Sequence, residues 1–224
     1  MPTVLKLGQS DIAFQSEFME PMFELFRDAW PFYRRLHSAL SPFGLRLADI
    51  RPERGSGTLA DFHVALTLFR LTTTVRIRAD RIEINCVDAG RVDQKSLENA
   101  VIQILQTVEN HANGLQYRNY SIAIGVHGTL SGIETKTFLS KFVNAASLDM
   151  GPQLAAGGAI YHGPEGDRLL SAVTLDLSAV VSGGLFLRAY AIWNGQGFEP
   201  GTLPATANKY WAEVLSKLGL SLEG

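Results

Sequence analysis

Apolar and polar residues alternate with a period of two through residues 59–87, as is typical of half-buried β-strands. The first strand of this stretch ends near Arg70, and two shorter strands follow around a tight turn at Ala79-Asp80. One face of the three strands is apolar, and the other carries arginine and glutamate side chains. The pattern therefore predicts a β-meander with one buried face.

Two other segments show helical spacing instead. Between residues 94 and 112, apolar side chains recur every three or four positions, with Asp93 placed to cap the first turn and Gly114 placed to end the helix. A second segment of this kind opens after Pro204 and closes at Gly219. We predict a helix in each, and expect the first to lie on the apolar face of the meander.

The remaining periodic segments predict more strands and shorter helices. We expect strands near 11–18 and at 116–126, 153–162, 168–181 and 183–193, and a short helix at 134–146. A helical stretch ends at Leu40. Pro31 begins a fresh helix within it, because a proline in the first turn loses no hydrogen bond.

These elements predict an α+β fold, with a mostly antiparallel sheet and helices on one side. The chain 1–224 reads as a single compact unit. Residues 1–114 and 115–224 share an approximate order of strand, helix, about three strands and helix. We interpret this order as an internal duplication, although the residues of the two halves do not visibly match.

Composition narrows the classes of function. Apolar residues make up 46% of the chain, and 20 basic residues face 22 acidic ones, so the net charge of −2 gives no general attraction to nucleic acid or membrane. The single cysteine, Cys86, excludes an intramolecular disulfide framework and falls on the buried strand face. Neither a signal-peptide pattern nor a long apolar run is visible, so we expect a cytoplasmic protein.

One glycine-rich stretch raises the question of phosphate binding. Residues 120–132 read YSIAIGVHGTLSG, where Gly125, Gly128 and Gly132 follow a predicted strand and precede a predicted helix. Both glycine fingerprints for phosphate, the dinucleotide motif and the P-loop with its lysine, are missing. We interpret Gly128 and Gly132 as the residues that let the chain reverse between strand and helix.

His127 is the strongest candidate for chemistry in this stretch. It shares a strand face with Ser121, Ala123 and Gly125, whose small side chains would leave space for a ligand. The sequence therefore predicts a ligand-binding region at Gly125, His127 and Gly128. Catalysis by His127 would need an orienting partner that the sequence does not identify.

Asp61 and His63 form a second, weaker candidate for ligand binding. They share one strand face two positions apart, where side chains are separated by about 6–7 Å, too far for a direct hydrogen bond. An outward polar surface explains the pair better. No catalytic residue can be named from the sequence.

Two charged clusters favour neither a metal nor RNA. His162, Glu165 and Asp167 lie in a loop whose Gly-Pro-Glu-Gly-Asp chemistry is that of an ordinary hairpin turn, so we expect no metal and no cofactor. The arginines at 76, 78 and 81 lack the exposed aromatic residues of an RNA-binding sheet, so nucleic acid is not expected as a partner. Glu83 opposite them predicts cross-strand ion pairs.

The aromatic residues near the N-terminus exceed what one helix face needs. Phe23, Phe26 and Trp30 are therefore candidate interface residues for a homo-oligomer or a protein partner. Strands as long as 168–180 and 183–193 also require protected sheet edges, which edge pairing in a homodimer would supply.

Two functions remain open. The first is a non-catalytic protein that acts through self-association or protein–protein binding. This function is favoured because the sequence shows no set of acid, base, nucleophile or metal-ligand residues that would form one active site. The alternative is a small-molecule-binding domain or enzyme, with its pocket over the small-residue sheet face near His127.

Overall fold

The computed structural model describes residues 2–27, 29–53, 62–112, 114–142 and 157–223, whose strands form one ten-stranded sheet. Numbered along the chain, the strands are β1 (Thr3–Phe18), β2 (Ile50–Glu53), β3 (His63–Leu68), β4 (Thr73–Arg78), β5 (Arg81–Cys86), β6 (Tyr117–Leu130), β7 (Gly158–His162), β8 (Arg168–Leu177), β9 (Leu185–Asn194) and β10 (Leu220–Leu222). The α-helices are α1 (Glu24–Arg27), α2 (Ala29–Leu40), α3 (Gln94–His111), α4 (Thr135–Leu139) and α5 (Leu203–Leu218).

The strand order across the sheet is β2-β3-β4-β5-β1-β6-β9-β8-β7, and every neighbouring pair on this path is antiparallel. The short β10 pairs in parallel with the start of β1. The helices pack against one face of the sheet, and the main hydrophobic core lies between the two layers. The predicted α+β class, with an antiparallel sheet and helices on one side, is confirmed.

The centre of the sheet is the antiparallel pair β1 and β6, whose register runs from Leu5 opposite Leu130 to Phe18 opposite Tyr117. In each half of the chain, the first strand lies at this centre and the last strand of the meander lies beside it. Thus β5 neighbours β1, and β9 neighbours β6. The order of strands from the centre outward is similar in both halves, while their duplication stays a prediction.

The meander of the first half forms as the alternation predicts. Val75 of β4 lies opposite Ile84 of β5, and both are buried under the helices. On the other face, Arg76 lies opposite Glu83, whose Oε1 is 3.7 Å from the Nε of Arg78. The predicted cross-strand ion pairing is confirmed.

Both long predicted helices are confirmed. Asp93 caps α3 by accepting a hydrogen bond of 2.8 Å from the backbone N–H of Ser96. Helix α5 begins at Leu203, slightly earlier than predicted, and ends at Gly219, whose φ of +67° is the left-handed conformation that favours glycine. Pro31 lies in the first turn of α2, as expected.

Several predicted boundaries need correction. Strand β1 begins at Thr3, well before residue 11, and the short helix α4 ends at Leu139. Strand β8 ends at Leu177 because Ser178 starts a tight turn. Residues 143–146 of the predicted helix and 153–156 of the predicted strand lie outside the described residues.

The main strand order ends at the short β2 and β7, so the two long strands β8 and β9 lie inside the sheet. Strand β2 carries Pro52, a residue that cannot donate to a further strand. None of the helices in the described part of the chain combines the length and apolar character needed to cross a membrane.

The interpretation of Gly128 as part of a strand-to-helix corner is wrong. Strand β6 continues through it to Leu130, and only Gly132, with a φ of +79°, lies in the turn that follows. Gly128 faces an irregular register in β1 between Leu7 and Gln9. A Cβ atom at this position would lie 2.3 Å from the carbonyl oxygen of Lys6, so close backbone approach requires glycine.

Replacing Gly128 by alanine should therefore strain the central pairing. We expect Gly128→Ala to lower the free energy of unfolding by about 2 kcal/mol, because the β1 backbone must move away from the new methyl group. The measurement is denaturant unfolding at equilibrium. Gly163→Ala is the matched control, since a Cβ there meets nothing within 4 Å, and it should stay within about 0.5 kcal/mol of the wild type. Equal stability of the two variants would contradict the explanation.

Candidate functional site

An apolar cavity of about 390 Å³ lies on the helix side of the sheet centre, between α3 and α5. Its floor is formed by the central strand pair, through Ile12 and Phe14 of β1 and Ile122 and Ile124 of β6. Ser10 of β1 also lines the cavity. The other lining residues come from the turn before α3, from α3 itself and from the start of α5; they are Ala89, Gly90, Val92, Gln94, Leu97, Glu98, Val101, Leu203, Pro204, Ala207 and Asn208.

The cavity exists because the helix layer leaves the middle of the sheet uncovered. Ile12 and Ile124 lie directly opposite each other on the helix side, yet both are only half-buried. Their outer neighbours on the same face, Cys86 of β5 and Ala189 of β9, are buried. Apolar surface is therefore exposed on the helix side of the central strands, where core residues are expected to be buried.

The walls of the cavity are connected at one end. The turn Pro200–Thr202, which leads into α5, contacts α3. A small hydrophobic cluster of Cys86, Ala89 and Leu97, separate from the main core, packs along the α3 side. Burial raises the pKa of the Cys86 thiol, so this cysteine is a packing residue and not an activated nucleophile.

Polar side chains gather where α3 and α5 face each other at the edge of the cavity. The Oε1 atom of Glu98 accepts a hydrogen bond of 2.8 Å from the Nε2 of Gln94 on the same helix. It also accepts a longer one, of 3.5 Å, from the Nδ2 of Asn208 on α5. Among the described lining residues, Glu98 alone carries a charge. The site thus combines an apolar floor with one oriented carboxylate.

Two of the predicted ligand-binding residues, Gly125 and His127, lie on the opposite face of the sheet. Strand register places His127 and Gly125 on the side away from the helices. A shallow depression of about 210 Å³ lies there, lined by Ala13, Ala123 and Gly125 with Asp11, Asn85, Phe186 and Arg188 among its neighbours, and His127 is not part of its lining. Small residues do leave space on this face, but the structure does not bring His127 into it.

His127 is held by neighbouring side chains. Its ring stacks on Phe186 with centroids 4.7 Å apart, and its Nδ1 lies 2.9 Å from the Oγ of Ser178. That Oγ already accepts hydrogen bonds from the backbone N–H groups of Val180 and Val181. The single hydroxyl proton of Ser178 is therefore left for Nδ1, an arrangement that requires the Nε2–H tautomer of His127.

The described structure places no carboxylate in hydrogen-bond contact with His127. General base catalysis needs such an orienting partner on the far nitrogen. Here the imidazole accepts a hydrogen bond from the hydroxyl of Ser178, a serine that orders the turn after β8. The arrangement fits a structural role at the end of the strand.

The other predicted residues are dispersed. His63 lies on β3, and its Nε2 is 3.1 Å from a carboxylate oxygen of Glu53 on the neighbouring edge strand. Asp61 lies outside the described residues. Glu165 forms an ion pair with Arg168 within its turn, and the described residues contain no group of three side chains suited to hold a metal ion.

The candidate interface residues separate into two kinds. Trp30 and Phe23 are 65% and 54% exposed. Phe26 is half-buried and packs edge-on against Phe62, with ring centroids 4.8 Å apart. Phe26 therefore belongs to the protein's own packing, while the other two aromatic side chains face solvent.

The chain matches no protein-family model, and comparison with curated proteins gives no significant match.

Sequence reasoning missed the cavity because its residues look like core positions. Leu97 and Val101 were expected to pack on the sheet as part of the α3 stripe. One signal was present: Ala207 falls one turn after Leu203 and one turn before Tyr210 and Trp211, so a small side chain interrupts an otherwise bulky stripe. Such a gap is meaningful only once the facing helix is known.

The structural role of His127 can be tested through Ser178. We expect Ser178→Ala to lower the free energy of unfolding by about 1–2 kcal/mol, because two backbone N–H groups and His127 lose their partner. Ser182→Ala, at an exposed position nearby, is the control and should be close to neutral. Imidazole ¹⁵N shifts measured by NMR should show the Nε2–H tautomer in the wild type. Observation of an Nδ1–H tautomer would contradict the assigned hydrogen bond.

Proposed function

We propose that this protein is a non-catalytic binding protein that holds a small apolar molecule in the cavity between α3 and α5. The observation that carries the proposal is the exposure of Ile12 and Ile124, which face the helices at the centre of the sheet yet are not covered by them. A cavity of about 390 Å³ also falls within the range of about 300–1,000 Å³ that is usual for small-molecule sites.

Apolar burial would supply the binding free energy. Each methylene group removed from water contributes about 0.8 kcal/mol. A chain of roughly eight buried methylenes therefore yields about 6 kcal/mol toward the cost of association, which is estimated at 4 kcal/mol or more. Ligand binding would thus cover the apolar floor that the helix layer leaves exposed.

The lining favours binding over catalysis. General acid–base chemistry requires a proton-transfer group held by an orienting partner, and nucleophilic chemistry requires an activated Ser, Cys, Thr or Lys. The described lining offers one carboxylate, oriented by two amide groups, and one hydroxyl, that of Ser10, while histidine, cysteine and lysine are absent from it and the rest is aliphatic and aromatic surface. This composition supports retention of the ligand without chemical change.

Filling the cavity should abolish binding without unfolding the protein. Ala207 is half-buried on α5 and lines the cavity, so Ala207→Phe places a ring over the isoleucine floor. We expect a neutral apolar probe such as N-phenylnaphthylamine to show enhanced fluorescence with the wild type and at least tenfold weaker binding with the variant. Thermal unfolding should show a Tm at or above that of the wild type.

Ala205→Phe is the matched control, because Ala205 is exposed on the same helix and does not line the cavity. This control should bind the probe like the wild type. Equal probe binding by the two phenylalanine variants, or no probe binding by the wild type, would contradict the proposal.

Self-association is a second candidate function, favoured by the exposure of Phe23 and Trp30. Trp in particular is enriched among the residues that dominate protein interfaces. Phe23 directly precedes the short helix α1, and Trp30 is the second residue of α2. The homo-oligomer, the protein partner and the cytoplasmic location remain predictions from the sequence.

The oligomer prediction is tested by removing the two aromatic groups together. We expect the wild type to have the mass of a homo-oligomer in light scattering after size exclusion, and the double variant with Phe23→Ser and Trp30→Ser to have the mass of a monomer. Leu47→Ser is the control, because Leu47 is 63% exposed at another place on the surface. A monomeric wild type would remove this candidate.

A further inference from the structure

We propose that the cavity between α3 and α5 selects an amphiphile whose apolar chain ends in a protonated amine, and that Glu98 recognises this headgroup. The inference rests on the proposed binding function and adds the chemical class of the ligand. It follows from three properties of Glu98: its position, its hydrogen bonds and the lack of a cationic partner among the described residues.

The position of Glu98 links the polar and apolar parts of the cavity. It follows Leu97 on α3, a side chain of the apolar wall, and it precedes Val101 on the same wall by one turn. Its carboxylate faces Asn208 of α5 at the place where the two helices approach each other. A chain lying on Ile12 and Ile124 can therefore bring its head to this carboxylate.

The hydrogen bonds of Glu98 leave acceptor capacity for a ligand. An ionised carboxylate offers about four lone-pair positions on its two oxygens. The amide groups of Gln94 and Asn208 both donate to Oε1. Oε2 accepts no hydrogen bond from the described residues and is left for a donor on the ligand.

The two amide side chains also suit an ammonium group. Because Gln94 and Asn208 direct their N–H groups toward Glu98, their carbonyl oxygens stay available as acceptors. An ammonium group has three donors, which match Oε2 and these two carbonyl oxygens in number and polarity. A carboxylate headgroup would instead lie beside Glu98, whose ionised carboxylate can only accept hydrogen bonds.

The negative charge of Glu98 favours a cationic headgroup over an anionic one. Within the described part of the chain, no lysine, arginine or histidine nitrogen forms a salt bridge with Glu98. An ammonium headgroup would form a charge-assisted hydrogen bond with the unpaired carboxylate, whereas an anionic headgroup would face like-charge repulsion beside it. The cavity therefore favours alkylammonium over alcohol and alcohol over fatty acid.

The test compares three ligands that share one chain: decylamine, decanol and decanoate, each displacing N-phenylnaphthylamine from the full-length protein at pH 7. We expect decylamine to bind roughly five- to tenfold more tightly than decanol, a ratio set by a partly exposed ion pair, and decanoate to bind most weakly. Added salt should reduce the preference for the amine, because the headgroup interaction is screened.

Glu98→Gln keeps the shape of the side chain and removes its charge, so the binding of decylamine should fall to that of decanol while decanol binding is unchanged. Glu134→Gln, an exposed glutamate at the start of α4, is the matched control and should leave all three affinities unchanged. Circular dichroism and Tm of both variants should match the wild type.

The outcomes separate the two proposals. Equal binding of the three chains, with all of them lost in Ala207→Phe, would overturn headgroup selection and leave the apolar site standing. A preference for decylamine that persists in Glu98→Gln would also overturn it. No binding of any chain or of the probe would overturn the binding function, and this inference with it.

Discussion

The antiparallel pairing of β1 with β6 is the interaction on which the rest of this structure depends. It joins the two halves of the chain along a register that runs from Leu5 and Leu130 to Phe18 and Tyr117. Directly opposed residues of antiparallel strands share a face, so this register decides that Phe14, Ile122 and their neighbours all turn to the helix side. A register shift of one residue would turn the apolar side chains of one central strand to the solvent face of the sheet. The helices of the two halves would then no longer share one core.

The cavity follows from the same pairing. Each half adds its meander outward from its central strand, so the last strand of each meander lies next to the centre. A helix follows each meander: α3 follows β5, and α5 follows β9. Each helix packs on the sheet beside the central strand of its own half. The two helices face each other above the seam between β1 and β6, and neither covers it fully. Ile12 and Ile124 remain accessible because they belong to the seam, which no helix in the described residues of either half covers.

Local periodicity predicts the secondary-structure elements of this fold but not the tertiary contacts between them. The alternation of residues 59–87 and the spacing of α3 and α5 are properties of short segments, and the structure confirms them. The contact of His127 with Ser178 spans 51 positions, and the approach of Gly128 to Lys6 depends on a β1–β6 pairing that no local pattern specifies. For that reason the glycines of YSIAIGVHGTLSG suggested a turn, when one of them is needed for close packing inside a strand.

The same limit explains why the candidate site was sought on the wrong face. Small residues such as Ala123 and Gly125 suggest space, and they do border a depression, but their face also carries the polar and charged side chains of a solvated sheet surface. On the helix side every floor residue is large and apolar, and space arises from the separation of two helices that belong to different halves. A cavity of this origin is invisible in either half alone, since its walls become neighbours only after β1 and β6 pair.

A site at the seam also links ligand binding to the stability of the whole sheet. Glu98 and Asn208 connect α3 to α5 by a long hydrogen bond of 3.5 Å, which is a weak connection between the two helices. A molecule that buries Ile12 and Ile124 and contacts both walls would add apolar contact between the halves where the protein itself supplies little. Since a ligand that binds only the folded state stabilises it by mass action, occupation of the seam would reinforce the central pairing on which the cavity itself depends.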